Sequence, residues 1–143
     1  MQITKDLAAI GRYLRRCRHR YMAAYGLKSI HARLLIEVCE NPGISQDCLS
    51  QRVGFDKSNI TRQACFLEEQ GFLERKQGQD KRVLALYPTE KTAQLLPGLQ
   101  SAMEEWEQSL LRELTDREQE TLQALLTKLR TVAEQGDRDG KAE

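Results

Sequence analysis

The sequence has no long apolar run, few prolines and few aromatic residues. Three prolines occur among 143 residues, and Phe, Trp and Tyr make up 6% of the chain. No apolar segment approaches the roughly 20 residues that a membrane-spanning helix requires, and the first residues contain no apolar core typical of a signal peptide. We therefore expect a cytoplasmic protein with no membrane association.

Motifs for catalysis and metal binding are also missing. The four cysteines, at positions 17, 39, 48 and 65, form no Cys-x-x-Cys pair and have no spacing typical of a zinc site or a disulfide framework. The sequence contains no P-loop, no nucleophile elbow and no paired carboxylates in a glycine-rich frame. These absences predict a protein that is not an enzyme and that carries no metal and no cofactor.

The net charge of +1 hides an uneven distribution along the chain. Residues 1–43 carry eight Lys or Arg against three Asp or Glu, whereas residues 89–143 carry seven against twelve. Such segregation indicates that different faces meet different partners. The alternative is ordinary solvation, because most helix surfaces are charged.

Helical periodicity dominates the first third of the chain. An apolar stripe, with arginines on the other faces, predicts a first helix from Thr4 to Tyr25 that ends at Gly26. A second helix is predicted from Ser29 to Glu40, before the break at Asn-Pro-Gly.

Two capped helices, separated by a glycine, follow. Ser45 is a suitable N-cap for a short third helix that ends at Val53. Asp56 is a suitable N-cap for a fourth helix that runs to Gln70 and closes at Gly71. A short helix, a tight turn and a second helix form the helix-turn-helix pattern.

The remaining chain predicts a hairpin and two more helices. Two extended runs, FLERKQ and RVLALYP, flank a charged turn over residues 78–81. Thr89 begins a fifth helix, which Pro97 is expected to bend or break, and a capping box beginning at Thr115 starts the sixth. The expected fold is mainly α, with a small β-hairpin as a wing.

The fourth helix carries an unusual polar face. At 100° per residue its apolar positions, Ile60, Ala64 and Leu67, form one narrow wedge that must be buried. The opposite side carries short hydrogen-bonding side chains and an arginine: Ser58, Asn59, Thr61, Arg62 and Cys65. Such residues suit base edges and phosphates, although a solvated surface is the simpler interpretation.

Basic residues also cluster in the hairpin. They are Arg75, Lys76, Lys81 and Arg82. Arginine in a hairpin beside such a helix can enter a narrow minor groove, whereas cations on an edge strand also prevent aggregation. A helix-turn-helix followed at once by a basic hairpin is the pattern of a winged helix.

Four stretches, in this order and spacing, resemble the MarR family of winged-helix transcription regulators. They are PGISQDCLSQRVGFDKSNITR (42–62), LEEQGFLERK (67–76), DKRVLALYPTEK (80–91) and LTDREQETLQALLTKL (114–129). The resemblance covers about residues 7 to 134 and implies an obligate dimer. It assigns residues 1–28 and 89–135 to helical dimerisation and residues 29–88 to a winged helix-turn-helix, and we expect residues 136–143 to form a flexible tail.

The resemblance also implies which residues contact double-stranded DNA at a pseudo-palindromic operator. Ser58, Asn59, Thr61 and Arg62 would face the major groove. Arg82 would enter the minor groove, oriented by Asp80, and Gln46 and Arg75 would contact phosphates. The chain departs from the family pattern at QACF (63–66) and YPTEK (87–91), which affects base preference rather than fold.

Family members are often released from DNA by small aromatic acids or phenols, or by cysteine oxidation. The residues that could line an effector pocket are Tyr13, Arg16, Tyr21, His31 and Arg33. The alternative for the two tyrosines is packing in the dimer interface, and for His31 it is partial exposure at a helix start. Cys17, within an arginine-rich turn, and Cys65 are the candidates for oxidation, although Cys17 also falls on the apolar stripe, where cysteines are inert.

The sequence thus predicts a dimeric, sequence-specific DNA-binding regulator, a repressor released by a small aromatic or phenolic effector. Two alternatives stay open. One is a thiol-based redox-sensing regulator of the same fold, and the other is a winged-helix module that binds a protein instead of DNA.

Overall fold

Helices dominate the architecture. The protein is described by a computed structural model that covers residues 2–78, 80 and 82–141. Over these residues the elements are α1 (Ile3–Ala23), α2 (Ser29–Glu40), β1 (Ile44–Ser45), α3 (Gln46–Val53), α4 (Lys57–Glu69), β2 (Leu73–Gln77), β3 (Leu84–Pro88), α5 (Glu90–Leu111) and α6 (Asp116–Lys141). The expected class, mainly α with a small β-hairpin wing, is confirmed. The chain divides into two compact units, residues 1–106 and 107–143.

A small antiparallel sheet connects the wing to the helices. Strand β3 lies in the middle, paired with β1 on one side and β2 on the other. Two residues of β3 pair on both sides: Leu86 lies opposite Ile44 and Arg75, and Ala85 lies opposite Ser45 and Lys76. The sequence did not predict β1, because two residues are too short for a recognisable alternation.

The hairpin is slightly shorter than predicted. Strand β3 begins at Leu84, because the preceding residues form a turn in which the Asp80 side chain accepts a hydrogen bond from the Arg82 amide at 3.0 Å. The Val83 amide closes the same turn on the Asp80 carbonyl. The predicted turn residues Gln79 and Lys81 lie outside the described residues.

The core of the first unit forms where α2, α3 and α4 pack against the sheet. The predicted wedge of α4, Ile60, Ala64 and Leu67, is fully buried. It packs in one cluster with side chains from the other elements, including Leu35, Leu49, Phe72 and Leu86. The orientation of α4 is therefore fixed by its apolar side, as the periodicity predicted.

Helix starts agree with the predicted caps. The Ser45 hydroxyl accepts a hydrogen bond from the Cys48 amide at 3.0 Å, and the Asp56 carboxylate accepts one from the Asn59 amide at 2.7 Å. Thr115 and Glu118 form both bonds of the capping box. Thr89 precedes α5, but its hydroxyl donates to the Gly71 carbonyl and so ties α5 to the end of α4.

Two helices continue further than expected. Helix α5 runs through Pro97 without a break. Leu95 and Leu99, on either side of the proline, are both buried in the core, and this burial offsets the hydrogen bond that a proline removes. Residues 136–141 were predicted as part of a flexible tail, but they continue helix α6. No proline in this stretch ends the helix.

The second unit presents an apolar stripe on α6. Leu125, Leu129 and Val132 have exposed fractions of 52%, 51% and 67%. Such a stripe is typical of a helix that packs against another surface. Among the residues that the structure describes, no helix is both long enough and apolar enough to cross a membrane.

Close packing of α1 on α5 yields a stability prediction. A Cβ at Gly98 would overlap the Tyr21 hydroxyl, which donates a hydrogen bond to the Leu95 carbonyl at 3.4 Å. We expect Gly98→Ala to lower the free energy of unfolding by about 1–3 kcal/mol through overpacking, as measured by urea denaturation.

Gly11 provides the matched control. It lies inside α1, and no described atom lies within 4 Å of a Cβ built there. Gly11→Ala should therefore stabilise the protein by about 0.5–1 kcal/mol. If the two substitutions had equal effects, or if Tyr21→Phe did not partly restore the stability of Gly98→Ala, the contact would not be the cause.

Candidate nucleic-acid interface

Helix α4 presents the polar face that its periodicity predicted. Ser58, Thr61 and Arg62 are exposed, and Asn59 and Cys65 are half-buried at the edges of this face. The face begins at the N-terminus of the helix, where Asp56 caps the Asn59 amide. It combines hydroxyl, amide and guanidinium groups on one solvent-facing surface, and such groups can bind both base edges and phosphates.

Helix α3 lies beside this face and contributes Gln46. The Thr61 hydroxyl donates to the Lys57 carbonyl at 2.8 Å and lies 3.3 Å from Gln46 Oε1. The Gln46 Nε2 group is buried without a hydrogen-bond partner among the described residues. Gln46 is therefore held against α4 rather than projecting freely into solvent.

Hydrogen bonds lead from the edge of this face into the interior. Gln63 Nε2 donates to Asn59 Oδ1 at 3.2 Å, and Gln63 Oε1 lies 2.8 Å from His31 Nε2. His31 Nδ1 accepts from the Lys28 amide at 2.9 Å. A side chain of α4 that faces outward is thus connected to a buried histidine of α2.

His31 is buried, whereas the sequence analysis considered it either as part of an effector pocket or as partly exposed at a helix start. Its side chain is buried, with an exposed fraction of 2%, and its ring stacks on Phe66 at a centroid distance of 5.0 Å. Burial lowers the pKa of His31 below its ordinary value, because the charged form loses hydration. This burial was not predictable from local sequence, because the His31 contact with Gln63 of α4 spans 32 positions.

Two arginines of the wing differ in their contacts: one forms an ion pair within the chain, and the other is exposed to solvent. Arg75 makes a bidentate ion pair with Glu68 of α4, with both N–O distances at 3.0 Å. This pairing lowers the pKa of Glu68 and raises that of Arg75. Arg82 is exposed. Asp80 holds the backbone of Arg82 through its amide, so it fixes the turn from which this side chain projects.

The five residues predicted for an effector pocket do not come together. The Tyr21 hydroxyl bonds to Leu95 in α5, and His31 faces α4. Arg33 donates to the Val53 carbonyl at 3.0 Å and lies over the ring of Phe55. Tyr13 and Arg16 lie on α1, half-buried and exposed respectively.

An open groove of about 620 Å³ lies between α1 and the start of α2. Arg16 is the only residue of the predicted pocket on its wall. The full lining is Arg15, Arg16, His19, Arg20, Ala23, Lys28, Ser29 and Ile30. Four of these side chains are lysine or arginine, which favours an anionic occupant, and the sequence signal for the three arginines was the basic run RRCRHR (15–20).

All four cysteines are free thiols. Cys17 is buried, with an exposed fraction of 6%, as its place on the apolar stripe indicated. Cys65 is half-buried on α4, near the polar face. Over the described part of the chain, no group of three or more His, Cys, Asp or Glu is arranged to hold a metal ion.

The pairing of α3 with α4, followed by the β2–β3 hairpin, defines a winged helix-turn-helix. A model of the MarR family matches residues 25–83. The HTH-type transcriptional regulator YybA of Bacillus subtilis is 35% identical over 97 residues, which make up 67% of this chain and 65% of YybA. The winged helix-turn-helix of this chain is therefore that of the MarR family of transcriptional regulators.

Two further comparisons extend the likeness beyond the winged helix. The transcriptional repressor MprA of Escherichia coli is 29% identical over 86% of this chain and 72% of its own length. The structure of a SlyA-like regulator from Listeria monocytogenes superimposes with a TM-score of 0.90 at 27% identity, covering 96% of this chain and 93% of the other. The matched region spans less than two thirds of YybA.

Burial of His31 predicts a pH-dependent stability. In the folded protein the ring stays neutral below the ordinary histidine pKa of about 6.5, whereas the unfolded chain takes up a proton there. The free energy of unfolding should therefore fall as the pH drops from about 7 toward 5.5. We expect His31→Gln to show a smaller fall, measured by chemical denaturation at each pH.

The second histidine supplies the control for this experiment. His19→Gln makes the same substitution at an exposed position of α1. Identical dependence in the parent and in His31→Gln would show that the buried ring does not titrate differently in the folded and unfolded states.

Proposed function

We propose that this protein is a dimeric regulator that binds a pseudo-palindromic DNA operator in a sequence-specific manner and represses transcription in the cytoplasm. The observation that carries the proposal is the exposed polar face of α4. Ser58, Thr61 and Arg62 face solvent there while the opposite side of the helix is buried. A helix that only packed would not need this set of side chains.

Two features of the surroundings support contact with DNA. The N-terminus of α4 opens onto the same face, and the partial positive charge of a helix N-terminus favours phosphate. Arg82, exposed in the wing turn, suits a minor groove, whose negative potential attracts arginine. We assign Ser58, Asn59, Thr61 and Arg62 to the major groove and Arg82 to the minor groove.

We assign Gln46 and Arg75 to phosphate contacts, although both side chains already have contacts within the protein. Gln46 lies against Thr61 and its amide nitrogen is buried, so its side chain must turn outward to contact a phosphate. Arg75 is engaged with Glu68. Its guanidinium has five N–H donors, which leaves some for a phosphate while the ion pair is kept.

Apolar stripes on two helices support a dimer. Leu7 and Ile10 of α1 have exposed fractions of 46% and 44%, and α6 presents Leu125, Leu129 and Val132. An exposed apolar stripe is costly in water, and a second copy of the chain would cover each of the two stripes. We assign residues 1–28 and 89–135 to dimerisation, which would present two copies of α4 about one DNA turn apart, or about 34 Å.

Control by a small aromatic or phenolic acid is the form of regulation that we propose. The cationic groove lined by Arg15, Arg16, Arg20 and Lys28 suits a carboxylate or phenolate, and MprA is itself a transcriptional repressor. Thiol-based sensing is less well supported, because Cys17 is buried and thiolate chemistry requires access. A winged-helix module for protein partners would not need Arg62 and Arg82 exposed together.

The central prediction concerns these two arginines. We expect Arg62→Ala and Arg82→Ala each to weaken operator binding by at least about tenfold, because each removes a charged contact from both copies of a dimer. Fluorescence anisotropy with labelled duplex DNA measures the dissociation constant.

Arg138→Ala is the matched control, since it removes the same charge from an exposed position at the end of α6. It should bind DNA like the parent. If Arg62→Ala and Arg82→Ala both bound DNA with the parental affinity, the residue assignment would be refuted. If all three variants lost affinity equally, the effect would be one of net charge rather than of a defined interface.

The proposed dimer has its own test in α6. Leu125→Glu places a charge within the apolar stripe, and we expect it to convert the dimer to a monomer in sedimentation velocity experiments. Lys128→Glu introduces the same residue at a polar, exposed position of the helix and should leave the dimer intact. A parent that sediments as a monomer would contradict the assignment.

A further inference from the structure

A chain of three hydrogen bonds connects the start of α2 to the outer face of α4. It passes from the Lys28 amide to His31 Nδ1 at 2.9 Å, from His31 Nε2 to Gln63 Oε1 at 2.8 Å, and from Gln63 Nε2 to Asn59 Oδ1 at 3.2 Å. Asn59 is the only member on the surface assigned to DNA. The other side chains lie behind it.

One fixed donor determines the direction of every bond in this chain. A backbone N–H can only donate, so His31 Nδ1 must accept, and the proton of the neutral ring is on Nε2. His31 Nε2 therefore donates, and Gln63 must present its oxygen to it. The Gln63 amide nitrogen then faces Asn59, which must present its own oxygen.

We propose that His31 and Gln63 are positioning residues that hold the Asn59 amide in one orientation, with its oxygen engaged by the protein and its N–H donors left for DNA. Asn59 would then read hydrogen-bond acceptors rather than donors. This inference rests on the proposed DNA binding, and it adds a specificity determinant that is not itself in contact with DNA.

Burial makes the arrangement rigid. His31 is 2% exposed and stacked on Phe66, so its ring cannot turn over without losing both hydrogen bonds and the stack. The backbone of Asn59 is held by the Asp56 cap. Within the part of the chain that the structure describes, Asn59 bonds through Oδ1 to Gln63, and its two Nδ2 donors are unused there.

The orientation has a consequence for base preference. In the major groove, guanine presents N7 and O6, adenine presents N7 and thymine presents O4 as acceptors, whereas cytosine presents only the N4 amino donor. A donor-presenting Asn59 should therefore disfavour cytosine at the base that it contacts. With the amide free to flip, it would discriminate less.

The test is selection of binding sites from a randomised duplex library by the purified full chain, followed by sequencing. Asn59→Ala first identifies the positions that depend on Asn59. We expect the parent to disfavour cytosine there by about tenfold, and Gln63→Met to weaken that preference at the same positions only. Gln94→Met, the same change at an exposed site on α5, should keep the parental profile.

Gln63→Glu provides a sharper test, because it preserves the shape of the side chain. The carboxylate still accepts from His31 but has no N–H to donate to Asn59. The Asn59 amide should then turn over and present its oxygen, and the preference should shift toward bases with amino donors, adenine and cytosine. Gln94→Glu controls for the added charge.

The outcomes separate the two claims. A parental profile at the Asn59-dependent positions in a folded Gln63→Glu variant would overturn the positioning role while leaving DNA binding in place. A uniform loss of affinity without a change of profile would also overturn it, since only overall stability would then be affected. A parent that enriches no sequence would overturn the proposed function, and this inference with it.

Discussion

Burial of one side of α4 is the constraint on which the rest of the structure depends. Ile60, Ala64 and Leu67 are all fully buried in the core between α2, α3 and the sheet. Since these three positions fix the rotation of the helix, Arg62 must point outward and Gln63 must lie at the border between core and surface. The hydrogen bonds to His31 and Asn59 follow from that border position, and so does the polar face assigned to DNA.

Much of this was predictable because the signals are local. The caps at Ser45 and Asp56 depend on bonds to amides three residues away, and the wedge of α4 depends on the helical period alone. Strand β1 and the burial of His31 were not predicted, for the opposite reason. Strand β1 exists only through its pairing with β3, and His31 is buried by residues of α4, so neither is encoded by its neighbours in sequence.

The positions of the residues predicted for the effector pocket also depend on tertiary contacts that the local sequence does not encode. Tyr21, His31 and Arg33 were grouped by chemistry and by resemblance, but tertiary contacts direct them to three different elements. The groove that does form is lined by the basic run of α1 and the start of α2. His31 of α2 thus contacts α4 and is suited to holding geometry, whereas the cationic side chains of the groove come from α1 and from Lys28, just before α2.

Binding to DNA in a salt-dependent, sequence-dependent manner is the central claim, and fluorescence anisotropy of the full chain tests it directly. Labelled duplex from upstream of its own gene would be compared with a scrambled duplex across a series of salt concentrations. We predict a many-fold tighter complex with the upstream DNA, with an affinity that falls steeply as salt rises, because phosphate contacts release counterions. Equal, weak binding to both duplexes, or affinity that does not change with salt, would contradict it.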